Sequence, residues 1–275
     1  MSVSSHRQRW LTSLVLLPAL ACLVFVGNWA LFAGVLAVCL LGLYEFYSLF
    51  WPKGQRFATK AAGLALCAVY LLVVQLGYAS AADGMLLAGV WGANLFFLRA
   101  FTRTQGAARY PDSLVFIAGL LYVPAMLHFF LEFRPLETIL VLLATFASDT
   151  GAYYAGSWFG KRKIWPTVSP KKTWSGSLGG ALVCVVTCMF LGLTFADWPW
   201  GRPGWGAWLL LGLALNLASQ FGDFFESALK RSLDAKDSGA LLPGHGGVLD
   251  RIDSLLLVTP VYKGASILFE LVSNQ

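Results

Sequence analysis

The chain has 275 residues, of which 57% are hydrophobic and only 12% charged, and its formal net charge is +6. Apolar runs of about 20 residues recur along it, a length that crosses a bilayer and excludes an ordinary soluble enzyme. We therefore predict an all-α, polytopic membrane protein.

Nine transmembrane helices are predicted in chain order. The first apolar run follows a basic stretch, as in a signal peptide, but a second apolar run follows almost at once, so we interpret it as a span. The predicted spans are residues 11–27, 30–50, 61–80, 84–101, 113–132, 137–156, 176–196, 206–229 and 253–271.

The orientation follows from the lysines and arginines, because basic residues favour cytoplasmic loops. With nine spans and a cytoplasmic N-terminus, seventeen of the 20 basic residues fall on the cytoplasmic side, two fall on the other side, and Lys263 lies inside the last span. One missed span would scramble this alternation for every later loop. The two long polar loops, around residues 160–175 and 230–253, are therefore predicted to be cytoplasmic.

Neither a disulfide framework nor a zinc site is expected. All five cysteines lie inside apolar runs, where a thiol usually behaves as a small hydrophobic group. The three histidines are far apart and none neighbours a cysteine, whereas zinc needs clustered ligands.

Acidic residues inside the predicted spans are the first candidates for chemistry, because a charge at that depth needs a partner or a water-filled cavity. Asp149 lies in the sixth span, and Asp223 and Glu226 lie near the end of the eighth. On a helix, Asp223, Glu226, Ser227 and Lys230 share one face. The simpler alternative is that Glu226 pairs with Lys230 and Asp223 bonds a neighbouring helix. Three acids at such positions favour a function.

The stretch 230–253 holds four acids and four bases in 24 positions. A proline and three glycines surround His245, so the backbone can approach an anionic ligand closely. Asp250, Arg251 and Asp253 follow, offering carboxylate oxygens to a hard cation and a guanidinium to phosphate. This combination is typical of phosphoryl or nucleotidyl transfer. An ordinary solvated loop is the alternative.

The other long loop is also basic. Its GSWFGKR segment is not a phosphate-binding Walker motif, because one residue is missing between the glycines and Arg162 replaces the required hydroxyl residue. We interpret residues 161–163 as orientation or anionic-lipid contacts. Lys171 and Lys172 are better candidates for ligand binding, because serine and threonine donors flank them.

These motifs together resemble those of the phosphatidate cytidylyltransferases, also called CDP-diacylglycerol synthases. The resemblance covers roughly the C-terminal half, through SDTGAYYAGSWFGKRK, SPKKTWSG, SQFGDFFES and the stretch 230–253. Two departures concern Ser175, where relatives often carry Glu or Gln, and Ala240, where many carry Asn. The matching signature positions are Ser227, Leu229, Lys230, Arg231, Lys236, Asp237, Gly239, Leu242, Pro243, His245, Gly246, Gly247, Asp250, Arg251 and Asp253.

The resemblance implies that CTP and phosphatidic acid react to give CDP-diacylglycerol and pyrophosphate. It implies Mg²⁺, with a second cation left open, held by Asp223 and Asp250 and supported by Asp149, Glu226 and Asp253. His245 is expected either to donate a hydrogen bond to pyrophosphate or to shape its turn. The catalytic residues are expected to be Asp223, Asp250, Lys230, Arg251 and His245. The substrate-binding residues are expected to be Ser169, Lys171, Lys172, Thr173, Ser227, Arg231, Lys236, Gly246 and Gly247.

The expected architecture is one transmembrane domain over residues 1–275, with N-terminal helices in 1–135 and a catalytic half in 136–275. We expect a multi-pass protein of a bacterial inner membrane with its site on the cytoplasmic side. Its partners are CTP, phosphatidic acid and membrane lipids, without nucleic acid, and a homodimer is left open. Two alternatives stay open: an ion-coupled transporter, and a cytidylyltransferase for another lipid phosphate.

Overall fold

The computed structural model describes residues 18–52, 54–107, 109–195, 198–201, 203–241 and 246–273. Within these ranges the chain is built from helices, which confirms the predicted all-α class. Residues 18–26 are helical and precede eight long helices. The long helices are α1 (Asn28–Phe50), α2 (Phe57–Gln75), α3 (Ala79–Arg103), α4 (Pro111–Tyr122), α5 (Pro135–Phe159), α6 (Trp174–Thr194), α7 (Trp205–Ser232) and α8 (Leu249–Ser273).

The helix bounds lie within a few residues of those expected from the apolar runs. The end of α4 departs most, because Pro124 removes a backbone donor and the helix continues as one turn, Pro124–Leu127, and a 3-10 helix, His128–Leu131. Of the predicted span 11–27, residues 11–17 lie outside the described residues.

Seven helical stretches of the described ranges are long and apolar enough to cross a membrane. They comprise α1, α2, α3, Pro111–Leu131, α6, α7 and most of α8. Helix α5 forms where the sixth span was predicted, but it is not one of the seven, since polar residues around Asp149 interrupt its apolar sequence. The predicted count of nine spans is thus not confirmed.

The chain divides into two compact units. Unit 1 contains residues 1–131 and 237–250, and unit 2 contains residues 132–236 and 251–275. The boundary therefore passes between Asp250 and Arg251, inside the first turn of α8. The predicted division into residues 1–135 and 136–275 stays a prediction.

Unit 1 is centred on Tyr47 of α1, which is fully buried. Its hydroxyl donates a hydrogen bond to the carbonyl oxygen of Phe116 in α4, at 2.8 Å. Gly63 of α2 and Gly119 of α4 face the ring so closely that a Cβ would lie 2.6 and 2.5 Å from it. The absence of side chains at both glycines lets three helices pack around one aromatic ring.

Unit 2 is built on close packing of α5, α6 and α7. Gly151 of α5 lies against the backbone of α6, where a Cβ would be 2.6 Å from the carbonyl oxygen of Gly179. Helix α8 approaches α7 in the same way, since a Cβ on Gly222 would be 2.4 Å from the carbonyl oxygen of Asp253. This contact brings Asp253 beside the acidic end of α7.

Candidate active site

Asp223 of α7 carries the best-defined polar contacts of the predicted site. Its Oδ2 atom lies 2.6 Å from Nζ of Lys172, and its Oδ1 accepts a hydrogen bond from the hydroxyl of Ser227 at 3.2 Å. The ammonium of Lys172 also lies 4.4 Å from the ring centroid of Phe224, a cation–π distance. The structure therefore joins two predicted site residues, Asp223 and Lys172, that are far apart in sequence.

Two further carboxylates of unit 2 share the electrostatic environment of Asp223. Asp149 of α5 accepts a hydrogen bond from Ser219 at 3.4 Å, and Asp253 of α8 accepts one from the backbone N–H of Ser254 at 2.7 Å. The charges of Asp149, Asp223 and Asp253 repel one another, while Lys172 and, more weakly, Arg251 attract Asp149. Three helices thus contribute one acid each to a common region.

The carboxylate oxygens of these three acids are the type of ligand that Mg²⁺ prefers. Mg²⁺ prefers oxygen ligands and usually takes only one or two carboxylates, completing its shell with waters and substrate phosphates. In the ranges that the structure describes, no group of three or more His, Cys, Asp or Glu side chains is arranged to hold a metal ion. The carboxylates of this region are thus donors of the kind that Mg²⁺ takes, and their metal role stays a prediction.

Glu226 and Lys230 form a buried ion pair on α7, beginning about one turn after Asp223. The carboxylate of Glu226 is fully buried, and Lys230 donates to it at 3.0 Å with its side chain 11% exposed. This is the contact that the simpler sequence interpretation expected. The metal role of Glu226 and the phosphate role of Lys230 stay predictions.

The loop before α6 holds Lys172 in a defined position. An isolated antiparallel bridge joins Lys163 to Thr173, and the backbone N–H of Ser169 donates to the carbonyl oxygen of Trp165 at 2.9 Å. Thr173 is buried and caps α6, because its hydroxyl accepts a hydrogen bond from the N–H of Gly176 at 3.2 Å. Lys171 is exposed. The cap gives Thr173 a structural role beside its predicted substrate contact.

Asp250 belongs to unit 1, where it organises the start of α8. Its carboxylate accepts hydrogen bonds from the backbone N–H groups of Ser238, at 3.0 Å, and Gly247, at 2.8 Å. Gly246 adopts φ of +80°, which suits glycine and permits the turn before the helix. Asp250, the predicted metal ligand, therefore also holds the ends of the segment that precedes α8 through these hydrogen bonds.

The remaining predicted site residues have fewer described contacts. Arg231 is exposed and donates to the carbonyl oxygen of Ala235 at 3.3 Å, and Lys236 is exposed. His245 lies outside the described residues.

Glu45 of α1 is a polar residue that the sequence reasoning missed. It is 2% exposed and accepts hydrogen bonds from the hydroxyl of Ser238 at 3.1 Å and from the N–H of Leu249 at 2.8 Å. The signal was present, because Glu45 is the only acidic or basic residue in the predicted span 30–50. An ionisable residue inside a span is a functional candidate by default.

The comparisons with known proteins agree with one another. A model of the cytidylyltransferase family matches residues 7–269. A phosphatidate cytidylyltransferase of Bacillus subtilis is 33% identical over 263 residues, covering 92% of this chain and 95% of the relative. One of Haemophilus influenzae is 32% identical over 282 residues, covering 94% and 97%. One of Staphylococcus aureus is 42% identical over 155 residues, covering 54% and 57%.

Proposed function

Because this chain belongs to the cytidylyltransferase family, we propose that it transfers CMP from CTP to phosphatidate, giving CDP-diacylglycerol and pyrophosphate. The observation that carries the proposal is similarity over nearly the whole length of two relatives that bear the name phosphatidate cytidylyltransferase. The region around Asp223 supports it independently, since acids and bases there suit a triphosphate and a hard cation.

In the proposed reaction, an oxygen of the lipid phosphate attacks the α-phosphorus of CTP. A new P–O bond forms there, the bond from the α-phosphorus to the bridging oxygen breaks, and pyrophosphate leaves with that electron pair. The lipid phosphate is already an adequate nucleophile, so no covalent enzyme intermediate is needed. The protein's part is positioning and charge neutralisation.

Lys172 is the residue whose contacts best fit a phosphate-binding role. Its ammonium forms a salt bridge with Asp223 and a cation–π contact with Phe224, and these two contacts hold it in place. Its side chain is nevertheless 26% exposed and therefore accessible to a ligand. A triphosphate offers stronger anionic partners than one carboxylate. We propose that Lys172 contacts the phosphates of CTP and that Arg251 provides a second cation.

Asp223 would hold Mg²⁺, with Asp149 and Asp253 in supporting positions, and the metal role that the family resemblance implies for Asp250 stays a prediction. When bound, Mg²⁺ would neutralise the charge that develops on the leaving pyrophosphate. Glu226 is the weaker candidate, because Lys230 already occupies one of its oxygens in a buried pair.

The topology belongs to the same proposal. We propose nine crossings, with the N-terminus and the active site on the cytoplasmic side of a bacterial inner membrane. The strong bias of lysine and arginine toward one set of loops supports this orientation. The relatives come from bacteria, which supports the assignment to a bacterial inner membrane.

The direct test is an acceptor panel. Purified protein would receive labelled CTP and Mg²⁺ with phosphatidate, a polyprenyl phosphate, or no acceptor, and label in the lipid phase would be measured. The proposal expects transfer to phosphatidate at a rate well above that with the polyprenyl phosphate. Preference for the polyprenyl phosphate would indicate a different lipid substrate. Failure with every acceptor would favour the transporter alternative.

A further inference from the structure

Glu45 is a carboxylate placed where carboxylates are costly. It lies in α1, a candidate membrane span, and is 2% exposed. An ionisable group within a span is unfavourable unless polar partners surround it. The residues of unit 1 that hydrogen-bond to Glu45 therefore indicate the role of this carboxylate.

Those partners all come from the segment that leads into α8. A single oxygen of Glu45, Oε2, accepts hydrogen bonds from the backbone N–H of Leu249 at 2.8 Å and from the hydroxyl of Ser238 at 3.1 Å. Leu249 is the first residue of α8, where unpaired N–H groups and the helix dipole favour a negative charge. Glu45 thus binds both ends of the segment 238–249.

The same hydrogen-bond network continues to Asp250. The backbone N–H of Asp250 donates to the hydroxyl of Ser238 at 3.3 Å, and the N–H of Ser238 donates back to the carboxylate of Asp250 at 3.0 Å. Ser238 therefore links the two carboxylates. Displacing Ser238 from Glu45 would also displace a group that orients Asp250.

Two glycines confirm how closely the segment surrounds the carboxylate. A Cβ on Gly239 would lie 2.3 Å from Oε1 of Glu45, and a Cβ on Gly247 would lie 2.4 Å from Oε2. Any larger residue at either position would collide with the acid. Among the described residues, Oε1 has no hydrogen-bond partner, so binding of the segment rests on Oε2.

We propose that Glu45 is a positioning residue for cytidylyl transfer: from the N-terminal helices it holds both ends of the segment 238–249, and thereby fixes the orientation of Asp250. This inference rests on the proposed function. It gives the N-terminal helices a defined part in the reaction beyond anchoring the protein in the membrane.

A merely structural acid would change the amount of folded protein and leave the behaviour of each folded molecule unaltered. A positioning acid changes kcat in the folded protein. Since both hydrogen bonds end on one oxygen, the amide oxygen of Glu45→Gln can accept them, whereas Glu45→Ala removes both. The Gln variant therefore separates hydrogen bonding from charge, and Ser238→Ala removes only one of the two bonds.

The experiment compares these three variants with wild type and with Glu137→Gln. Glu137 is the matched control, a 5% exposed acid in unit 2 that accepts hydrogen bonds from Tyr262 at 3.1 Å and the N–H of Arg134 at 2.9 Å. Steady-state kinetics are normalised to folded protein measured by size-exclusion chromatography. Hydrogen exchange of peptides that cover the segment 238–249 is measured on the same samples.

We expect Glu45→Ala to lower kcat about 100-fold, the scale of a misplacement near 1 Å, with KM for CTP changed less than about threefold. Glu45→Gln should stay within about tenfold of wild type, and Ser238→Ala should fall between. Exchange in the segment should accelerate in Glu45→Ala and stay unchanged in Glu137→Gln. Should Glu45→Ala fail to fold, Ser238→Ala and Glu45→Gln provide the same ordering.

Unchanged kcat in Glu45→Ala, or unchanged exchange in the segment, would overturn the proposal. A loss of kcat in Glu137→Gln as large as that in Glu45→Ala would do so as well, since it would show a general cost of altering a buried acid. If wild type itself transfers no CMP to any acceptor, the proposed function fails. The exchange data would then still decide whether Glu45 holds the segment.

Discussion

The buried pair between Glu226 and Lys230 allows the structural and metal-binding interpretations of Glu226 to be separated. Glu226→Gln keeps the size of the side chain and removes its charge. The ammonium of Lys230, whose side chain is only 11% exposed and which also attracts Asp253, then faces a neutral amide at the position of the carboxylate that now lies 3.0 Å away. The double variant Glu226→Gln/Lys230→Met removes both charges and leaves neither ion behind.

The burial sets the expected magnitude. Removing one partner of a buried pair costs about 3 to 5 kcal/mol, whereas replacing both by uncharged groups of similar size is often neutral. At about 2 to 4 °C per kcal/mol, the single variant should lose about 6 to 20 °C in Tm. The double variant should lie within about 1 kcal/mol of wild type.

The assay is thermal unfolding in detergent, followed by circular dichroism. Arg56→Gln is the control, because it breaks an ion pair with Asp112 whose arginine side chain is 49% exposed and should cost no more than about 1 kcal/mol. If Glu226→Gln unfolds at the wild-type temperature but loses Mg²⁺-dependent activity, Glu226 is a metal ligand and the structural reasoning is wrong. A double variant as unstable as the single one would also refute it.

Four further outcomes are expected. Asp223→Asn should lower CTP-dependent turnover at least about 100-fold, whereas Asp83→Asn, at an exposed acid of α3, should keep it; equal turnover in both would contradict the metal assignment. Lys172→Met should raise KM for CTP about tenfold, corresponding to about 1.4 kcal/mol, and an unchanged KM would exclude a phosphate contact. Thr173→Ala should lower the free energy of unfolding by about 1 kcal/mol through loss of the α6 cap, while Thr187→Ala, on the exposed side of the same helix, should change it by less than about 0.5 kcal/mol. EDTA should abolish turnover without altering the helical circular dichroism signal, and added Mg²⁺ should restore it; turnover that survives EDTA would count against the cation.

The helical fold could be predicted from the sequence because the bilayer imposes a length on every apolar segment. The expected span 30–50 forms Asn28–Phe50, and the expected span 206–229 forms Trp205–Ser232. Local spacing on a helix was equally informative. The expected common face of α7 appears as the hydrogen bond from Ser227 to Asp223 and the ion pair of Lys230 with Glu226.

Contacts between distant segments could not be predicted from spacing. Glu45 and Ser238 are 193 positions apart, and no periodicity in either segment indicates the other. The salt bridge of Lys172 with Asp223 likewise depends on the packing of α6 against α7. The sequence identified which residues carry charge, while helix packing determines which of them meet.

The most direct measurement of the central claim follows the two ends of the CTP triphosphate separately. Purified protein, Mg²⁺ and phosphatidate vesicles are incubated either with CTP labelled at the α-phosphate or with CTP labelled at the γ-phosphate. Cytidylyl transfer predicts that the α-label enters the lipid phase and the γ-label appears as aqueous pyrophosphate in equal amount. Movement of the γ-label into lipid, or release of pyrophosphate without α-labelled lipid, would contradict it.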